Sequence, residues 1–164
     1  MDEQISFDAF EIEFARCYYE RISVPRFGSN RPAVFVHDFR KNLTVIVDLL
    51  SNRCFIKELD RSVVAAPTSL IDLVEKMKRG HYKNPTIVRR TYRITGRIGI
   101  ADIGNLQSPM ISHHCQHRTV FELSEASRSI GGERWRRFKR GMSDSLEFTV
   151  LSGQTVEMDK IIIV

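Results

Sequence analysis

The stretch Leu43-Thr44-Val45-Ile46-Val47-Asp48-Leu49-Leu50, Ser51-Asn52, then Cys54-Phe55-Ile56-Lys57-Glu58-Leu59 decides the fold. Two β-prone runs flank a Ser-Asn turn signal, the pattern of a hairpin. The first run is almost continuously apolar, which makes it a central strand covered on both faces. Working outward, Ala33-Val34-Phe35-Val36-His37-Asp38-Phe39 reads as the strand before it. Residues 17–24 read as another, closed by Pro25 and joined by a loop through Gly28 to Pro32. Residues 2–13 are acidic and weakly patterned, and are expected to form a poorly ordered lead-in.

Downstream, Thr68 or Ser69 caps an expected helix with Asp72 early in it and Gly80 past its end. Leu70, Leu73, Val74 and Met77 fall on one stripe, the pattern of a core-facing helix. Residues 86–98 alternate as a long strand, with Ile87, Arg89, Thr91 and Arg93 on one face and Val88, Arg90, Tyr92 and Ile94 on the other. Residues 99–107 read as a loop. Ser108-Pro109 opens a helix carrying Met110, Ile111 and Cys115, proline being tolerated in the first turn. Residues 119–123 read as the final strand.

The chain has 164 residues, 42% apolar and 27% charged, which fits one globular domain with extensions and excludes a disordered chain. Residues 128–140 hold six basic side chains against Glu133, which accounts for the whole net charge of +5. A basic face spread over the fold, as in many nucleic-acid binders, is therefore not expected. No run of about 18 apolar residues occurs, and the first residues lack a secretory signal. By these criteria alone the chain reads as soluble and untargeted. The cysteines point elsewhere. Cys54 and Cys115 lie 61 positions apart, a separation suited to a single disulfide in an oxidising compartment. Cys17 is left over and is available to link a homodimer.

The run Arg134-Trp135-Arg136-Arg137-Phe138-Lys139-Arg140 sits between Gly131-Gly132 and Gly141. Arg137-x-Lys139-Arg140 has the spacing read by furin-like convertases, and Arg134-x-Arg136-Arg137 offers an overlapping match. Cleavage after Arg140 would free a 24-residue peptide ending Lys160-Ile161-Ile162-Ile163-Val164, an aggregation-prone composition. Two plainer readings stand beside this. Basic runs commonly form a solvated face or a nucleic-acid patch, and the last residues suit an ordinary edge strand. The alternative function is thus binding of nucleic acid or an anionic surface through residues 134–140, which steep salt dependence would reveal.

His37-Asp38-Phe39, Leu43-Thr44, Asp48-Leu49 and Asn52-Arg53-Cys54-Phe55-Ile56, in that order, resemble the BRICHOS domain, and within it the integral membrane protein 2 (Bri) family. Ile22-Ser23-Val24-Pro25, the run from Pro67 through Leu70 to Leu73, and Lys78-Arg79-Gly80-His81-Tyr82 extend the likeness over residues 22–123. The resemblance implies an α+β fold, a five-stranded antiparallel sheet with one helix on each face, and a Cys54–Cys115 disulfide. It divides the chain into a linker or stalk (1–21), the domain (22–123), a basic linker (124–140) with the cleavage site at Arg137, Lys139, Arg140 and Gly141, and a β-prone peptide (141–164).

The resemblance also implies an intramolecular chaperone. Its partners would be its own peptide, amyloidogenic chains such as amyloid-β, and a furin-like protease. The location would be the Golgi and plasma membrane, as a single-pass type II glycoprotein anchored by a segment outside this chain. An exposed sheet edge can take such strands by augmentation. Two departures stand out: residues 141–164 lack the paired cysteines of vertebrate released peptides, and Pro109 should shorten the second helix or delay its start.

Asp38 matches the family's characteristic aspartate. Set between Phe35, Val36 and Phe39, its carboxyl is expected to be partly desolvated and to act as a pH sensor; the plainer role is an acid at a strand end accepting backbone hydrogen bonds. Asn42-Leu43-Thr44 is a glycosylation sequon, whereas proline excludes Asn84-Pro85-Thr86. His113, His114, Cys115 and His117 miss the usual zinc spacings, and a disulfide cysteine is no thiolate ligand, so no metal is expected. No phosphate loop, nucleophile elbow or paired-carboxylate site emerges, so neither an enzyme nor a cofactor is expected.

Overall fold

The computed structural model describes residues 3–7, 10–15, 18–66, 71–72, 75–76, 79–80, 85–126, 144–152 and 155–163, the first two stretches by backbone alone. The strands are β1 (Glu3–Phe7), β2 (Phe10–Ala15), β3 (Tyr19–Val24), β4 (Ala33–Asp38), β5 (Leu43–Asp48), β6 (Arg53–Glu58), β7 (Thr86–Ile98), β8 (Thr119–Glu125), β9 (Asp144–Ser152) and β10 (Thr155–Ile163). They form one sheet in the order β1-β2-β3-β4-β5-β6-β8-β7-β10-β9. Pairing is antiparallel except at β6–β8 and β7–β10. The backbone N–H of Arg31 donates to the carbonyl of Glu147 at 3.1 Å, so the eight strands from β3 round to β9 come close to closing a barrel.

The expected five-stranded antiparallel sheet with a helix on each face is therefore overturned. Two segments assigned to the flanks join the sheet instead. Phe10-Glu11-Ile12-Glu13-Phe14 alternates strictly, and β2 pairs with β3 through Ile12↔Ile22. Residues 144–152 and 155–163 pair antiparallel as β9 and β10, and β10 lies parallel to β7 from Thr155↔Thr86 to Ile162↔Arg93. Enclosure follows from burial: Leu146, Phe148 and Val150 of β9 and Ile161 of β10 share one apolar cluster with Ile22, Phe35, Ile46 and Phe55. A helix laid across that concave face would displace these side chains.

The helices are short. Ile100–Asn105 and Pro109–Cys115 lie on the outer face, where Ile103, Ile111 and Cys115 pack on Val34, Val36, Val45 and Val47. The first replaces the loop expected at 99–107, and the second starts at Pro109. Ile71, Asp72, Glu75 and Lys76 are also helical, with Gly80 at φ +78° past the end. The positions of the expected cap and of Leu70, Leu73, Val74 and Met77 lie outside the described residues. β4 is buried along its whole length and β5 nearly so, because each stands between the inner and outer apolar clusters. In β7 a bulge between Ile94 and Gly96 changes the phase, so Tyr92 and Ile94 serve the inner cluster while Ile98 serves the outer one.

Candidate functional site

Cys54 of β6 and Cys115, the last residue of the helix Pro109–Cys115, form a disulfide with Cα atoms 5.9 Å apart. Both are buried. The bond fastens the helix to the outer face, beside Val120 and Ile111.

Asp38 ends β4 at zero exposure. Its Oδ1 accepts from the backbone N–H groups of Arg40 (2.9 Å) and Lys41 (3.0 Å), and its Oδ2 from Ser108 Oγ at 2.5 Å. Ser108 occupies the N-cap position of the helix Pro109–Cys115, yet its hydroxyl serves Asp38 and makes no cap bond. The same device recurs ten residues on, where the sequence analysis assigned no role. Asp48 ends β5, is fully buried, accepts from the N–H of Leu50 at 3.2 Å and from Ser51 Oγ, and is clamped by Arg31 at 3.1 and 2.9 Å. Both turns close on an asparagine at positive φ, Asn42 (57°) and Asn52 (54°). The repeated Asp-x-x-x-Asn in Asp38-Phe39-Arg40-Lys41-Asn42 and Asp48-Leu49-Leu50-Ser51-Asn52 was the signal available in the sequence, because aspartate bonds its own turn and asparagine tolerates αL. Asp38→Asn keeps the Oδ1 acceptor and is expected to lower stability by about 1 kcal/mol. Asp38→Ala leaves the buried N–H groups unpaired and should cost about 3 kcal/mol in urea unfolding.

The inner face also holds an ion cluster that the sequence analysis missed. Lys57 of β6, 6% exposed, reaches past β8 and β7 to β10. Its ammonium donates to Glu157 Oε1, to Asp159 Oδ2 at 2.8 Å and to the Tyr92 hydroxyl at 3.2 Å, and lies 4.7 Å from the Tyr92 ring centroid. The cluster borders a cleft of about 590 Å³ also lined by Asp60, Arg61 and Arg90. Further along the inner face, Glu20 of β3 stands opposite His37 of β4 in register, and His37 Nδ1 is 2.8 Å from Thr44 Oγ1. The Glu20 carboxyl oxygens, His37 Nε2 and Asp159 Oδ1 have no hydrogen-bond partner among the described residues.

Burial opposes charge throughout this cluster. It lifts Glu20 to about 8 and lowers His37 to about 3. Burial also works against the Lys57 ammonium, but Asp159 and Glu157 outweigh it and raise its pKa. One cation serves two carboxylates: despite burial, Lys57 holds Glu157 below its usual value, while burial and the Glu157 charge lift Asp159 to about 7. Glu20 and Asp159 thus hold protons in the folded state that the unfolded chain releases at lower pH. The stability they contribute is present in acid and is lost as pH rises through 7 to 8. Each contribution begins to fall once the unfolded carboxyl ionises, near pH 4 to 4.5, at up to about 1.4 kcal/mol per pH unit for each proton, and is gone above about pH 8. Below pH 6.5 the neutral, buried His37 offsets one of the two, so the net fall is steepest from about pH 6.5 to pH 8. Urea midpoints across that range test this, and Glu20→Gln should flatten the slope by about half.

The other expected sites are placed as follows. Asn42 lies in a turn, its Oδ1 accepting from Arg61 Nε at 3.1 Å, and the sequon's Thr44 is buried on His37. The His113 and His114 rings are 5.6 Å apart, and no group of three or more potential ligands is gathered for a metal ion among the described residues. Cys17 and the run Arg134 to Gly141, with Arg137, Lys139 and Arg140, lie outside the described residues. No helix among the described residues is long and apolar enough to cross a membrane.

These features define a β-domain whose concave face is completed by its own C-terminal hairpin and whose outer helix is fixed by one disulfide. The chain belongs to the BRICHOS family: the BRICHOS domain model matches residues 29–122. It is 33% identical over 108 residues to the human protein named Integral membrane protein 2C, covering 64% of this chain and 39% of that protein. The rat protein of that name is 38% identical over 108 residues, with the same coverage, and the mouse protein 33% over 112 residues, covering 66% and 40%. The chain matches about two fifths of the length of these relatives. Their name describes those relatives as integral membrane proteins.

Proposed function

We propose that this chain is the BRICHOS-type part of a secretory-pathway proprotein and acts as an intramolecular chaperone for its own C-terminal peptide. The observation that carries the reading is the parallel β7–β10 pairing, which gives the backbone of an aggregation-prone strand its partners and turns its neighbours Leu146, Phe148 and Val150 into the core. A strand held this way cannot template a fibril. A furin-like protease cuts after Arg140, which severs residues 141–164 covalently while β9 and β10 stay paired in the sheet until they dissociate. The vacated edge of β7 then takes β-prone strands of other chains, amyloid-β among them, by augmentation. The Cys54–Cys115 disulfide accords with an oxidising compartment, and membrane attachment in this reading comes from a segment outside the chain.

Expression in a secretory host, followed by unreduced mass spectrometry with and without a furin inhibitor, tests the proposal. The expected result is a fragment beginning at Gly141 that disappears on inhibition, and a linked Cys54–Cys115 pair. An intact chain with free thiols would contradict it and would bring forward the basic-run alternative.

A further inference from the structure

The inner charge cluster bears on which strand the domain accepts. The apolar part of the concave face, with Phe35, Phe55 and Phe148, would welcome any aliphatic strand. Lys57 would not. It is nearly sealed from solvent, and among the described residues its charge is matched only by groups on the incoming strand, Glu157 and Asp159, together with the Tyr92 hydroxyl. Glu20 does not substitute, because burial lifts its pKa to about 8 and leaves it neutral. His37, packed on the same face, is likewise neutral near pH 7, as burial lowers it to about 3. A buried ammonium without a carboxylate costs several kcal/mol.

Resting on the strand-capture reading above, we infer that Lys57 is the specificity determinant of the slot beside β7. It admits strands that present two inward acids two residues apart, followed by an inward aliphatic, as Glu157-Met158-Asp159-Lys160-Ile161 does. The pattern also fixes phase. Glu157, Asp159 and Ile161 are buried at 3%, 1% and 0%, with Lys160 exposed between them. A slip of one residue would turn Lys160 inward against Lys57 and carry both acids to the outer face. Selection thus works by rejection: an apolar strand that would otherwise fit the core strands a buried charge. The expected partners are strands with this acid-x-acid-x-aliphatic pattern, the chain's own tail first among them.

Hydrogen exchange of the full chain, read by mass spectrometry over residues 155–163, tests this. The variant E157M/M158E/D159K/K160D keeps the composition and moves both acids out of phase. It should exchange at least ten-fold faster over residues 155–163, while β4 to β6 stay protected. Should that variant unfold throughout, E157Q/D159N and K57M/E157Q/D159N decide: the triple variant, which has no buried unpaired charge, should be protected at least ten-fold more than the double. Equal protection of the out-of-phase variant and the wild type, or a triple no better than the double, would overturn the selection by Lys57 and leave capture standing. Free exchange of residues 155–163 in the wild type would overturn capture itself, and the selection with it.

Discussion

Lys57→Met is expected to destabilise the fold by about 3–5 kcal/mol, the scale on which losing one partner exposes a buried pair as uncompensated charge. Methionine nearly matches the lysine stem in volume, so the loss is electrostatic and not a cavity effect. Glu157 and Asp159 would be left buried at 3% and 1% exposure with no cation, and the β9–β10 hairpin should detach first. Urea unfolding at neutral pH measures the loss. Adding Glu157→Gln and Asp159→Asn should recover most of it, since a neutral set replaces an unbalanced one. A loss under about 1 kcal/mol for Lys57→Met would show that the cluster is not what joins β6 to β10.

Removing the disulfide by Cys54→Ser with Cys115→Ser should cost about 4 kcal/mol, from the loop-closure entropy of a 61-residue separation. The effect should be local in onset. The helix Pro109–Cys115 should lose protection before the inner cluster, because Cys54 and Cys115 belong to the outer cluster and Phe55 to the inner one. Urea unfolding with and without reductant checks it: reduction of the wild type should reproduce the variant, and an unchanged midpoint after verified reduction would contradict the account.

The central hairpin was legible because it is locally determined. β5 and β6 begin and end within two residues of where the apolar runs and the Ser51-Asn52 turn place them. The long alternating strand matches β7 from Thr86 to Ile98, and Pro109 opens its helix at N1. The two ends of the chain are left outside the expected sheet for different reasons. In residues 10–15 the count of acids masked a strict alternation. In residues 155–163 the inward face carries Glu157 and Asp159, so an apolar-in, polar-out template fails there. The distant Lys57 makes those acids tolerable inside, and a contact 100 residues apart leaves no local trace. The parallel placement of β10 beside β7 is equally non-local. The turn role of Asp38 is visible as a strand-end acid, whereas that of its twin Asp48 shows only when the two Asp-x-x-x-Asn turns are set side by side.

The most direct test of the central claim is native mass spectrometry of the full chain after digestion with furin. If the domain holds its tail through β7 and Lys57, cleavage after Arg140 should leave residues 141–164 bound, so that the digested protein keeps the mass of the intact 19.0 kDa chain (plus one water) under native conditions and splits in two only on denaturation. Immediate separation of the two pieces under native conditions, or a tail that aggregates while the domain stays soluble, would contradict the claim that this domain shields its own C-terminal strand.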